Sequence, residues 1–138
     1  MNRAIMDFLH QNYVLSLSVC ENNRSWSVNC FYAFEEQSKS LIFISHGNTD
    51  HYRMLTQNPY VSGTIAAQTQ NVTHIQGVQY TGKAVTPVGD SIKQCNSIYY
   101  QRFPFAKFVM AKLWKLEINY LKYTDNTLGF GKKLIWER

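Results

Sequence analysis

Residues 41–61 read Leu41-Ile42-Phe43-Ile44-Ser45-His46-Gly47-Asn48-Thr49-Asp50-His51-Tyr52-Arg53-Met54-Leu55-Thr56-Gln57-Asn58-Pro59-Tyr60-Val61, and their character changes twice. Leu41 to Ile44 is apolar at every position, the mark of a strand covered on both faces. Gly47-Asn48 breaks the run. Thr49 then offers a hydroxyl to cap a helix, and Asp50 sits at the favourable, positive end of the helix dipole. Tyr52 and Leu55 keep the helical period until Asn58-Pro59 ends it, and Tyr60 opens another strand.

On the N-terminal side, residues 2–11 place Ile5, Phe8 and Leu9 on one side of a short amphipathic helix. Tyr13 to Val19 alternates as a strand with Ser16 and Ser18 on one face. Glu21-Asn22-Asn23-Arg24 is a polar turn, Ser25 to Phe34 a second strand, and Glu35 to Ser38 a second turn. With 41–44 these strands form a meander. On the C-terminal side, Tyr60 to Gln68 and His74 to Pro87 are strands, and Gly77 and Gly82 predict a bulge or bend in the second. Residues 90–101 are helical with Ile92, Cys95 and Tyr99 on one face. Phe103-Pro104 breaks that helix, and one more turn follows over 105–110. Residues 114–118 alternate, and a last strand covers Lys133 to Trp136.

This order argues against a parallel sheet and against a helical bundle. It predicts a mainly β chain whose six or more short antiparallel strands close into a barrel, because closure removes exposed edges.

The whole chain, 1–138, has room for one domain and one core. Hydrophobic residues make up 45% and charged residues 17%, which excludes a disordered chain. Aromatics at 14% exceed what a small core needs and point to an interface or a ring-binding pocket. The net charge of +5 favours anionic partners, but the basic residues are dispersed, with only Lys132-Lys133 adjacent. No nucleic-acid partner is therefore expected. Cys20, Cys30 and Cys95 form no CxxC pair, and free, mostly buried thiols in a reducing cytosol are expected. No apolar run is long enough to span a membrane, and Asp7 and His10 interrupt the N-terminus too early for a signal peptide. These features together predict a cytoplasmic protein.

The stretch 41–61 resembles the strand–loop–helix of the pyridoxamine-phosphate-oxidase-like flavin barrels, in which an apolar strand leads to a Ser-Arg-Lys-type loop, a short helix, Asn-Pro and the next strand. Arg102-Phe103-Pro104, Trp114 and above all Asp125-Asn126-Thr127-Leu128-Gly129-Phe130-Gly131-Lys132-Lys133 resemble the small bacterial YhbP family within that group. The resemblance spans essentially the whole chain. It implies a six-stranded antiparallel split barrel with short flanking helices, a homodimer, and a flavin mononucleotide (FMN) site in the groove between subunits. An oxidoreductase is one activity it allows, with no substrate indicated. A non-catalytic module for a flavin, haem or other planar ligand, or a structural dimer, are the alternatives.

The same resemblance supplies candidate contacts. Thr49 stands where the family serine touches phosphate, a role compatible with capping, and His51 stands where the lysine does. Arg53, half a turn on, adds charge. Ser45 and His46 edge the cofactor groove. Gln76 and Gln79 either bond a ring carbonyl or are plain strand surface. Trp136 stacks on a ring or fills the dimer seam. Asp50 falls where better-characterised relatives carry Arg, and Asn29 and Phe34 fall where they carry Arg and Lys. The site is thus poorer in cations than the parent pattern. Either Lys132 or Lys133 supplies the charge, or the ligand is a different one. His46, Asp50 and His51 lack the spacing of a metal site, and none is expected.

Overall fold

The computed structural model describes residues 1–138, all of the chain. Helix α1 (Arg3–Gln11) opens on Asn2, whose side chain accepts a hydrogen bond from the Ala4 amide at 2.8 Å. Strands β1 (Val14–Glu21) and β2 (Arg24–Glu35) form a hairpin. Its turn residues Asn22 and Asn23 both have positive φ, a conformation asparagine tolerates and two-residue hairpins require. Strand β3 (Ser40–Ser45) follows, then helix α2 (Asp50–Gln57), strand β4 (Tyr60–Ala66) and strand β5 (Gln76–Val85). Helix α3 (Asp90–Arg102) runs into a 3-10 turn at Pro104–Phe108, and strands β6 (Lys112–Asp125) and β7 (Lys133–Glu137) complete the chain.

All pairings are antiparallel, in the order β3-β2-β1-β4-β5-β6, and β6 returns to β3 to close a six-stranded barrel. Strand β7 is a seventh strand outside the ring, paired to the second half of β6. The barrel core includes Leu15, Leu17, Tyr32, Leu41, Phe43, Ile65, Leu116 and Leu121, with Ile5, Phe8 and Leu9 of α1 added to it. A second small cluster joins Ala33 and Ile42 to Cys95 and Tyr99, where α3 packs on the outside of β2 and β3. This explains the unbroken apolar run at 41–44. Leu41 and Phe43 belong to the barrel core, and Ile42 lies in the α3 cluster.

Several boundaries differ from expectation. Residues 72–74 form a 3-10 turn, so β5 starts at Gln76 and not at His74. Ile92 is exposed, leaving Cys95 and Tyr99 as the buried positions of α3. Cys20 is exposed and only Cys95 is fully buried, so the thiols are less sequestered than their type predicts. The largest difference is β6, which extends seven residues past Ile118 to Asp125. Its buried positions are 114, 116 and 118, then 121, 123 and 125. The phase slips because Thr81 pairs with Tyr120 and Gly82 with Ile118, leaving Asn119 as an extra residue. The bulge expected on β5 thus inserts its extra residue into β6. Gly82 remains necessary opposite it, since a Cβ there would strike the Glu117 carbonyl.

Candidate functional site

A cavity of about 450 Å³ opens on the outer side of the barrel where β2, the end of β3, the start of α2, and α3 with its 3-10 turn converge. Strand β2 contributes Val28, Asn29, Cys30 and Phe31; the end of β3 contributes Ile44 and Ser45, followed by His46. Thr49 and His51 enter from the start of α2. Tyr99, Phe103, Phe105, Ala106 and Val109 form the opposite wall. The size and the mainly apolar lining with a few polar groups are those of a small-molecule pocket.

The polar groups are fixed by their neighbours. Ser45 Oγ accepts a hydrogen bond from Trp114 Nε1 at 2.9 Å, leaving its own proton free to donate. Thr49 Oγ1 donates to the His46 carbonyl at 2.8 Å and accepts from the Tyr52 amide at 3.3 Å, so it caps α2. His46 Nδ1 lies 3.1 Å from the Met110 carbonyl. His51 is buried, with Nε2 3.4 Å from Thr49 Oγ1. Burial pulls the His51 pKa below its ordinary value, and the nearby Asp50 only partly opposes this. The imidazole is therefore neutral at neutral pH and does not supply the cation that the resemblance would place at this position. Burial likewise pushes the Cys30 thiol up to about 11, so it faces the cavity protonated.

The other sequence candidates lie elsewhere. Arg53 is ion-paired with Glu21 beside a separate hollow that Trp26 and Asp50 also line. Gln76 donates to Asp125 Oδ2 at 3.1 Å, and Gln79 is exposed on β5. Lys133 pairs with Thr124 while Lys112, at the other end of β6, pairs with Ser45. The intervening strand measures about 40 Å along its length, which separates Lys132 and Lys133 from the cavity of their own chain. Trp136 packs half-buried against the barrel core opposite Leu121. Phe34, a position where the resemblance would place a lysine, is a core residue. Five of the eleven candidates, Asn29, Ser45, His46, Thr49 and His51, thus share one cavity, and its lining contains no cation. Apolar and aromatic walls of this kind suit a planar ring, whereas a dianionic phosphate finds no cation on them within one chain.

Sequence reasoning missed the aromatic wall. Phe103-Pro104-Phe105 reads as a helix breaker, whereas its rings line the cavity. The excess of aromatic residues was the available signal. The distinctive Asp125–Lys133 stretch proves to be a structural clasp. The Asp125 carboxylate accepts from Thr127 N, Thr127 Oγ1, Gln76 and Tyr123, and Asn126 Oδ1 accepts from Gly131 N.

No family model matches the chain. A UPF0306 protein of Photorhabdus laumondii is 37% identical over 136 residues, 99% of this chain and 95% of its own length. One from Yersinia pseudotuberculosis is 40% identical over 131 residues, 95% and 89% of the two chains. Among solved structures, a haem-binding protein from Mycobacterium smegmatis superposes with a TM-score of 0.81 at 16% identity. That match covers 99% of this chain but only 59% of the mycobacterial one. A FAD-binding protein from Mesorhizobium loti gives 0.71 at 14% identity, covering 88% and 92%. HutZ, the haem storage protein from Vibrio cholerae, gives 0.65 at 14%, covering 84% and 88%. At such identities these structures establish the split-barrel fold alone. The near-complete overlap with the Photorhabdus and Yersinia proteins establishes more: the chain belongs to the UPF0306 family.

Proposed function

We propose that this chain binds a planar cofactor ring in the cavity between β2, the end of β3, α2 and the 3-10 turn, and that it does so as a homodimer. The observation that carries the reading is the meeting of Asn29, Ser45, His46, Thr49 and His51 on one mainly apolar cleft with aromatic walls. Structural neighbours named for haem or FAD binding support a planar ligand. FMN and the YhbP-like assignment are the finer readings, favoured by the resemblance at 41–61 and 125–133. For FMN, a second subunit must bring the phosphate cation, for which Lys132 and Lys133 are the candidates. Oxidoreductase activity follows only with a redox-active ring. No helix is long and apolar enough to cross a membrane, which accords with the cytoplasmic location proposed here.

The test is titration of the purified protein with FMN, hemin and metal-free protoporphyrin, followed by absorbance and fluorescence. At least one ring should bind saturably. Ala106→Trp, which fills the cavity from its half-buried wall, should abolish that binding without lowering the melting temperature. Absence of binding by all three rings would sink the reading.

A further inference from the structure

His46 stands at the rim of the cavity with its side chain largely exposed, immediately after β3 ends. Its Nδ1 lies 3.1 Å from the Met110 carbonyl oxygen. A carbonyl can only accept, so Nδ1 carries the proton and donates it. In the neutral ring that leaves Nε2 with its lone pair, and Nε2 makes no hydrogen bond within the protein. A histidine whose Nδ1–H is held by a backbone carbonyl, with Nε2 free, is the arrangement found in metal-ligating imidazoles. Next to it lies an apolar slot walled by Phe31, Phe103, Phe105 and Val109.

Nothing in the chain groups three or more His, Cys, Asp or Glu side chains around an ion. A bare metal ion would find too few ligands here. An iron porphyrin brings four nitrogens of its own and asks the protein for one axial donor and an apolar slot. Its carboxylates can remain in solvent at the open side. A flavin phosphate, by contrast, needs cations that the lining lacks.

We infer that the planar ligand of this cavity is an iron porphyrin whose iron is bound by Nε2 of His46. This rests on the planar-ring reading above and specifies it. In the neutral ring the Nε2 lone pair of His46 forms the coordinate bond to iron, and no proton has to leave that nitrogen.

The experiment is hemin titration of the full chain, read by the Soret band, alongside metal-free protoporphyrin read by fluorescence. Wild type should give a shifted, sharpened Soret band. His46→Ala should lose that shift and weaken hemin binding roughly tenfold or more, while metal-free protoporphyrin binds both proteins alike. Added imidazole should restore the ligated spectrum of His46→Ala. Circular dichroism should show the variant folded, since His46 is exposed. His74→Ala, an exposed position outside the cavity lining, is the comparison and should retain the wild-type spectrum. An unchanged Soret band in His46→Ala overturns the inference. If hemin fails to bind while FMN or metal-free protoporphyrin succeeds, the inference falls and the planar-ring reading stands. If none of the three binds, both fall.

Discussion

The hydroxyl of Tyr80 occupies the space in which a side chain on Gly63 would stand, and from there it donates to the Ser16 carbonyl at 2.8 Å. Gly63 and Tyr80 are direct cross-strand partners on β4 and β5, and Ser16 lies on β1. One ring laid over a glycine therefore ties three consecutive barrel strands, an arrangement used to rescue glycines in sheets. Gly63→Ala forces a methyl against both Tyr80 and the Ser16 carbonyl, and should cost about 3 kcal/mol. Tyr80→Phe keeps the packing and removes one hydrogen bond, costing about 1 kcal/mol. Urea denaturation should rank them in that order; equal midpoints would show that the glycine is not under steric constraint.

Thr49 joins the candidate site to the stability of α2. Thr49→Ala removes both the cap to Tyr52 N and the bond to the His46 carbonyl, at a cost of about 1 kcal/mol. Thr49→Ser keeps the hydroxyl and should melt within a degree or so of the parent. A destabilised serine variant would mean that the methyl group, and not the cap, matters here.

Mild acid should weaken the fold through His51. Its pKa in the folded protein is lowered by burial, so the unfolded chain takes up the proton first. Stability is present above the unfolded value and falls as pH drops below roughly 6.5. Urea midpoints measured from pH 7.5 to 5 should decline for the parent and decline less for His51→Gln. Parallel curves would contradict a buried neutral imidazole.

Asp125 should act at lower pH. Burial by itself would raise its carboxyl, but the hydrogen bonds from Thr127, Gln76 and Tyr123 outweigh burial and hold it below the ordinary carboxylate range. Its contribution is complete above the unfolded pKa and is lost as pH falls from roughly 4 toward the lower folded value. Asp125→Asn should cost about 2 kcal/mol at pH 7, where a charged acceptor is lost. The difference from the parent should narrow below pH 4. A constant difference at all pH values would argue that Asp125 matters by shape alone.

The 3-10 turn and the residues after it present Phe105, Phe108 and Met110 at 86%, 87% and 95% exposure. Apolar side chains grouped in this way mark an interaction surface, and a second copy is the proposed occupant. Light scattering after size exclusion should give twice the 16.1 kDa chain mass. The double substitution Phe108→Ser, Met110→Ser should shift it toward the monomer. A wild-type monomer at micromolar concentration would remove the basis for an inter-subunit role of Lys132 and Lys133.

Local pattern revealed the fold where one residue's neighbours in sequence are also its neighbours in the barrel. The alternation of β1, the capped start of α2 and the doubly covered run at 41–44 were legible for that reason. The length of β6 was not, because the extra residue Asn119 reverses which positions face the core and so ends the visible alternation at Ile118. The candidate site divides along the same line. Ser45, His46, Thr49 and His51 lie together in the one stretch that carries the resemblance and were singled out with it. Asn29, on another strand, was reached through the same resemblance. Phe103, Phe105 and Val109 reach the cavity by the packing of α3 on β2 and β3, a relation that no short window contains. The role of Gln76 was likewise hidden, since its partner Asp125 lies on another strand.

The closure of β3 onto β6 also bears on how the protein is made. Strand β6 begins only at Lys112, so a ribosome has synthesised most of the chain before any residue exists that can cover the free sides of β3 and β5. Until then the nascent chain carries two unsatisfied strand edges, the kind of surface that recruits other chains. Premature termination anywhere before β6 therefore yields a sticky open sheet and not a smaller working barrel. A nonsense or frameshift change at any point up to β6 removes the strand that closes the ring.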